Sequence, residues 1–146
     1  MEDGTTYLDQ ERINNPLISF DYIEKEKLEQ IAEIKRRASL YRGNVTHPHT
    51  VPGATTILLD DGAATGATVI AAARWIRKQY KPRHFIVALP VVPKPTLKLL
   101  GQECDSVEAV IAPGNFHSVG QYYEDFNPVT DDEVMDIMRK RNMSSQ

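Results

Sequence analysis

"ILLDDGAATGAT", residues 57–68, sets the reading of the whole chain. Apolar Ile57, Leu58 and Leu59 run into two adjacent acids, Asp60 and Asp61. A stretch almost without side chains follows and closes on Thr65, Gly66, Ala67 and Thr68. The apolar run, over residues 55–60, predicts a buried strand, and the small residues predict a tight turn. Residues 67–80 continue as a helix with Ile70, Ala73, Ile76 and Tyr80 on one face and Arg74 and Lys78 on the other. The stretch reads as strand, loop and helix, with the loop at the carboxyl end of the strand.

The same alternation continues downstream. "HFIVAL" (84–89) predicts a second buried strand, "KPTLKLLGQE" (94–103) a short helix with a proline in its first turn, and "SVEAVIA" (106–112) a third strand. "TDDEVMDIMRKR" (130–141) predicts a closing helix, with Thr130 and Glu133 spaced as a capping box. Short apolar strands alternating with helices predict an α/β fold on a parallel sheet, and such sheets bind ligands at the carboxyl ends of their strands. Upstream, Asp21 to Arg42 is helical, with Leu28, Ile31, Ile34, Ala38 and Tyr41 on one face. Ser19 or Asp21 caps its start and Gly43 its end. "TTYL" (5–8) predicts a short strand. "GNVTHPHTVPG" (43–53) reads as a loop, since His47 and His49 have no cysteine or third histidine nearby to complete a zinc site.

A chain of 146 residues suits one domain. Within it, 1–50 would be an N-terminal strand, helix and linker, 51–126 the α/β core, and 127–146 a C-terminal helix. A net charge of -3 argues against a nucleic-acid partner. The single cysteine, Cys104, permits no intrachain disulfide and suits a reducing compartment. No apolar run reaches the roughly 20 residues of a membrane span, and the acidic N-terminus lacks a signal peptide's apolar core. The expectation is a cytoplasmic protein with no membrane partner.

The loop carries the chemistry. Gly62 and Gly66 let the backbone turn tightly and approach a bound group. Amides around Thr65 to Thr68 would lie at the positive end of the helix dipole, which suits a phosphate. The hydroxyls of Thr65 and Thr68 add hydrogen bonds. Asp60 and Asp61, acceptors only when ionised, suit sugar hydroxyls or the water around a magnesium ion. Phosphate donors beside diol acceptors describe a sugar phosphate. A P-loop is excluded because no lysine lies in 57–68, and Gly62 and Gly66 do not match the dinucleotide fingerprint. The plain alternative is a strand–turn–helix corner with the acids as turn residues. That alternative accounts for one aspartate and one glycine, not for the whole stretch.

"ILLDDGAATGAT" closely resembles the phosphoribosyl pyrophosphate (PRPP) signature of type I phosphoribosyltransferases. With "YRG" (41–43), "VALPVVPKPT" (87–96) and "FHSVGQYYEDFNPVTDDEV" (116–134), the chain looks like a prokaryotic group of phosphoribosyltransferases of unsettled substrate. The resemblance runs from about Tyr7 to the C-terminal helix. It implies a Rossmann-like domain, Asp60 and Asp61 as catalytic acids on the ribose hydroxyls, and Mg2+ held by them through ribose or water. It further implies that Gly62, Ala63, Ala64, Thr65, Gly66, Ala67 and Thr68 bind PRPP, with Ala64 to Thr68 around the 5'-phosphate. "NFHSVGQYYEDF" (115–126) loosely resembles the segment of hypoxanthine-type members that stacks an aromatic ring on the base. That likeness makes Phe116 the stacking ring, Val119 a backbone contact and Asp125 an acid on the metal side. Tyr122, Tyr123 and Phe126 read instead as core covering the sheet edge, and His84 and His117 receive no role.

Members of this fold carry a further strand and pyrophosphate loop before the helical stretch, and a loop that closes over the site. No such segment precedes Asp60, so the expectation is a chain incomplete at its N-terminus, with weak or lost turnover. The function implied is transfer of a phosphoribosyl group from PRPP to a nitrogenous base with release of pyrophosphate. The alternatives are a non-catalytic module binding PRPP or a nucleoside monophosphate, and an interaction protein using the aromatic segment. A sheet face left uncovered would make the protein a homo-oligomer.

Overall fold

Among the described residues, apolar strands alternate with amphipathic helices and form a three-stranded sheet under a helical layer. The computed structural model describes residues 1, 5–8, 19–42 and 53–143. Along the chain run α1 (Phe20–Arg42), β1 (Thr55–Leu59), α2 (Ala67–Tyr80), β2 (His84–Val91), α3 (Lys94–Leu100), β3 (Ser106–Ile111), a 3₁₀ turn (Val119–Tyr122) and α4 (Asp131–Met143).

The sheet order is β1-β2-β3 and both pairings are parallel. Leu58 lies beside Val87, and Val87 beside Val107, so these residues share one face. On that face Phe85, Val87 and Leu89 of the central strand are buried under Val69, Ile70, Ala73 and Ile76 of α2 and Leu100 of α3. Both crossover helices therefore cover the same side, as two crossovers of one hand in a sequentially ordered sheet require. The chain has the expected parallel-sheet, Rossmann-like α/β fold.

Local chemistry fixes the ends of the elements. Asp105 holds the start of β2: its carboxylate accepts from the Phe85 amide at 2.6 Å and from Arg77 Nη2 at 3.1 Å. These partners hold its carboxyl below the ordinary aspartate range, the Phe85 amide contributing most. Thr130 and Glu133 form the expected capping box, with the Thr130 amide donating to Glu133 Oε2 at 2.8 Å and the Glu133 amide to Thr130 Oγ1 at 3.3 Å. Ser19 caps α1, accepting from the Tyr22 amide at 3.1 Å. Asp131, in the first turn of α4, ties that helix to α1 by accepting from Arg36 at 2.8 Å and from the Tyr41 hydroxyl.

Three expectations are corrected. Residues 5–8 form no strand, because they lie beside the helical layer, where no sheet edge of the described residues offers partners. Tyr7 instead packs under the Arg74 guanidinium, 5.1 Å from the ring centroid. Leu28 does not face inward: it is 66% exposed, and the docked face of α1 runs through Ile23, Ile31, Ile34, Ala38 and Tyr41. β1 is not buried on both sides, because both helices lie over one face and Ile57 and Leu59 project from the other. The histidine loop lies largely outside the described residues, and with it His47 and His49.

Candidate functional site

Of the residues singled out in the sequence, the loop from Asp60 to Thr68 lies at the carboxyl end of β1 and Val119 packs against its Gly62, whereas Phe116 stacks on Tyr122 and Asp125 bonds Asn127. Asp60 and residues 62–69 line a shallow recess of about 170 Å³. Its floor follows from the way the loop is tied down. The Ala63 amide donates to the Val91 carbonyl at 3.1 Å, which turns the Ala63 side chain into the core. The Ala64 carbonyl accepts from Thr96 Oγ1 at 2.7 Å. Gly66 ends the loop in the left-handed region, φ 77°, and its carbonyl accepts from the Ile70 amide at 2.8 Å as the first helical bond of α2. The amides of Ala67, Thr68 and Val69 therefore lead the helix, where no carbonyl of the helix itself precedes them. The Ala67 amide reaches Thr65 Oγ1 at 3.4 Å.

Both glycines are required by the protein itself. A Cβ on Gly66 would lie 2.9 Å from Thr96 Cγ2, and one on Gly62 would lie 2.8 Å from Val119 Cγ1 and 2.9 Å from Val91 Cγ1. Spacing within the motif does not disclose these neighbours, because Val91, Thr96 and Val119 come from elsewhere in the chain.

Asp60 lines the recess, whereas Asp61, next in the chain, is exposed and is not among the residues that line it. The Asp61 amide donates to Asp60 Oδ1 at 3.1 Å. Burial pushes the Asp60 carboxyl above the ordinary aspartate value; the Asp61 amide opposes this and the Asp61 charge adds to it. Asp60 also borders a larger apolar recess of about 390 Å³ on the open face of the sheet, lined by Leu59, Ala88, Pro90, Glu108 and Val110 among others.

The aromatic segment reaches the loop by two contacts. Val119 packs against Gly62, and the Tyr123 hydroxyl donates to the Asp61 carbonyl at 2.6 Å. Phe116 stacks on Tyr122 with centroids 5.9 Å apart and planes 14° from parallel. Asp125 accepts from Asn127 Nδ2 at 2.6 Å and is exposed. Tyr122, Tyr123 and Phe126 do not belong to the core as expected. Phe126 is 47% exposed and packs on Tyr123, and the Tyr122 hydroxyl bonds the Asn115 carbonyl, so these rings brace their own segment. Tyr123 is the residue that sequence reasoning assigned elsewhere: nothing in "QYYEDF" distinguishes a ring that braces the acidic loop from one that fills a core.

Among the described residues no three of His, Cys, Asp and Glu gather as a metal site. Magnesium is commonly held by one or two carboxylates together with substrate oxygens and water rather than by an all-protein cage. Asp60 at the recess, with Asp61 adjacent in the chain, fits that mode. No described helix is long and apolar enough to cross a membrane.

No protein-family model matches the chain. It is 30% identical over 135 residues to proteins of two Mycobacterium tuberculosis strains, H37Rv and CDC 1551, each named "Putative phosphoribosyl transferase". The matched part is 92% of this chain and 30% of each relative, so the chain spans under a third of their length. Among solved structures it is similar to TT1426 from Thermus thermophilus, with 32% identity and a TM-score of 0.72 over 95% of this chain and 64% of that one. These likenesses link the chain to the type I phosphoribosyltransferase superfamily.

Proposed function

We propose that the loop from Asp60 to Thr68 binds the ribose 5-phosphate end of PRPP or of a nucleoside monophosphate, and that the chain belongs to a phosphoribosyl transfer reaction. The observation that carries this reading is the recess itself. A recess of about 170 Å³ at the start of a 14-residue helix is lined by Asp60, at the end of a parallel strand, and by the small-residue loop that follows, with Asp61 next to Asp60 in the chain. Outward amides and the positive end of the helix take the phosphate. The acids accept from the ribose hydroxyls, which stand next to each other on the sugar. The mycobacterial relatives carry phosphoribosyl transfer in their names, which supports the same chemistry.

In this reading transfer proceeds by positioning and electrostatics. The loop fixes the phosphate end, and Asp60 and Asp61 orient the sugar so that a base nitrogen attacks C1 as pyrophosphate departs. The carboxylates also stabilise the positive charge that develops on the ribose. Magnesium, held at Asp60 and Asp61 through water and substrate oxygens, would neutralise the pyrophosphate. Phe116 and Val119 are proposed on the base side, and Asp125 as an outer acid on the metal side. A non-catalytic sensor of PRPP or nucleotide would use the same loop.

Isothermal titration with PRPP and with nucleoside monophosphates, with and without Mg2+, tests the binding. Pyrophosphate release across a panel of bases then separates enzyme from sensor. Saturable binding with release supports transfer, and binding without release supports the sensor. A folded sample that binds no phosphoribosyl ligand would refute both.

A further inference from the structure

We propose that Thr96, remote in sequence from the loop, is the positioning residue that aims the phosphate cradle. This rests on reading the loop as a phosphate site. Thr96 stands near the start of α3 and is 5% exposed, a polar side chain enclosed in an otherwise apolar core. Burying a hydroxyl is costly unless it is hydrogen-bonded, and this one donates to the Ala64 carbonyl at 2.7 Å. Its methyl occupies the other side of the turn, 2.9 Å from where a Cβ on Gly66 would lie. One side chain thus grips the loop on both sides of Thr65.

The consequence follows from peptide geometry. Among the described residues no peptide bond is cis, so the Ala64 carbonyl and the Thr65 amide point in opposite directions across one planar unit. The bond from Thr96 draws the carbonyl toward α3 and so turns the Thr65 amide toward the recess. The methyl sets how closely Gly66, and with it the start of α2, can sit on α3. α3 is itself anchored: Val91 and Val92 are buried, Pro93 precedes the helix, and the Leu97 amide donates to the Pro93 carbonyl at 3.0 Å. This gives "VVPKPT" a purpose that the loop motif alone does not.

Two near-isosteric variants separate hydroxyl from methyl. Thr96→Val keeps the shape and removes the donor, whereas Thr96→Ser keeps the donor and removes the methyl. Each is titrated with inorganic phosphate and with ribose 5-phosphate, alongside a thermal melt. The expected result is that Thr96→Val weakens both ligands about three- to tenfold, the range of one hydrogen bond. Thr96→Ser melts at a lower temperature because it leaves a small cavity, yet binds within about twofold of the natural chain, its donor being intact. Unchanged affinity in a folded Thr96→Val overturns the proposal, and so does a loss of affinity in both variants that tracks their loss of stability. If Thr96→Val does not fold, Thr96→Ala takes its place beside Thr96→Ser, both lacking the methyl and only Ala lacking the donor: weaker binding by Thr96→Ala than by Thr96→Ser supports the positioning role, and equal affinity refutes it. A natural chain that is folded but binds neither ligand refutes the phosphate reading itself, and the proposal with it.

Discussion

Asp60 borders both recesses at the end of β1, and burial raises its carboxyl above the ordinary value of 3.8. A raised acid in the folded state means that ionisation costs stability, a cost relieved as pH falls through the folded value. Asp60→Asn is therefore predicted to melt no lower than the natural chain at neutral pH, while its affinity for ribose 5-phosphate drops about tenfold or more, the loss expected of charge-assisted bonds. In the natural chain that affinity should fall on acidification, and the part due to Asp60 should set in at higher pH than for an ordinary aspartate and be missing in Asp60→Asn. Calorimetric titration across pH, paired with thermal melts, checks both parts. Gly66 gives a second prediction. Its φ of 77° and the proximity of Thr96 leave no room for a side chain, so Gly66→Ala should cost about 1–3 kcal/mol in a denaturant melt. The acids and glycines of the loop were legible in sequence because their types are unusual side by side. Thr96 was not, because a threonine at the start of a helix resembles an ordinary surface residue until the fold encloses it.

At the scale of elements, periodicity located the strands and helices well. α2 spans Ala67–Tyr80 as its apolar spacing predicts, and β2 extends two residues beyond its predicted end at Leu89, to Val91. What periodicity could not supply was the partner of each face. "TTYL" has strand propensity but lies beside the helical layer, and Leu28 keeps helical spacing but falls outside the docked stripe. The aromatic segment shows the same limit, since its rings serve their own loop and the acidic corner. Removing the Tyr123 hydroxyl frees only the Asp61 side of the site. Tyr123→Phe should therefore lower affinity for ribose 5-phosphate while leaving inorganic phosphate unchanged, at a stability cost of about 1 kcal/mol. Parallel titrations of the two ligands check this; equal weakening of both would contradict it.

At the level of the molecule, one face of the sheet is packed and the other is bare among the described residues. Ile57 is 56%, Leu59 72% and Val110 83% exposed, and both outer strands present open edges among the described residues. Exposed apolar sheet surface with open edges favours association. Sedimentation equilibrium is expected to show concentration-dependent self-association that Ile57→Lys with Val110→Lys abolishes while the fold is kept. A natural chain that stays monomeric at high concentration would contradict this. The uncovered face was foreseeable from the resemblance. Which strand faces compose it was not, because the two crossovers had first to be placed on one side. Amide chemical-shift mapping with ribose 5-phosphate shows whether the loop at the end of β1 binds the sugar phosphate. Saturable shifts are expected on Ala64 to Val69 with smaller ones at Asp60 and Asp61; a folded protein whose shifts are absent, or gather elsewhere on the molecule, would show that the loop is not the site.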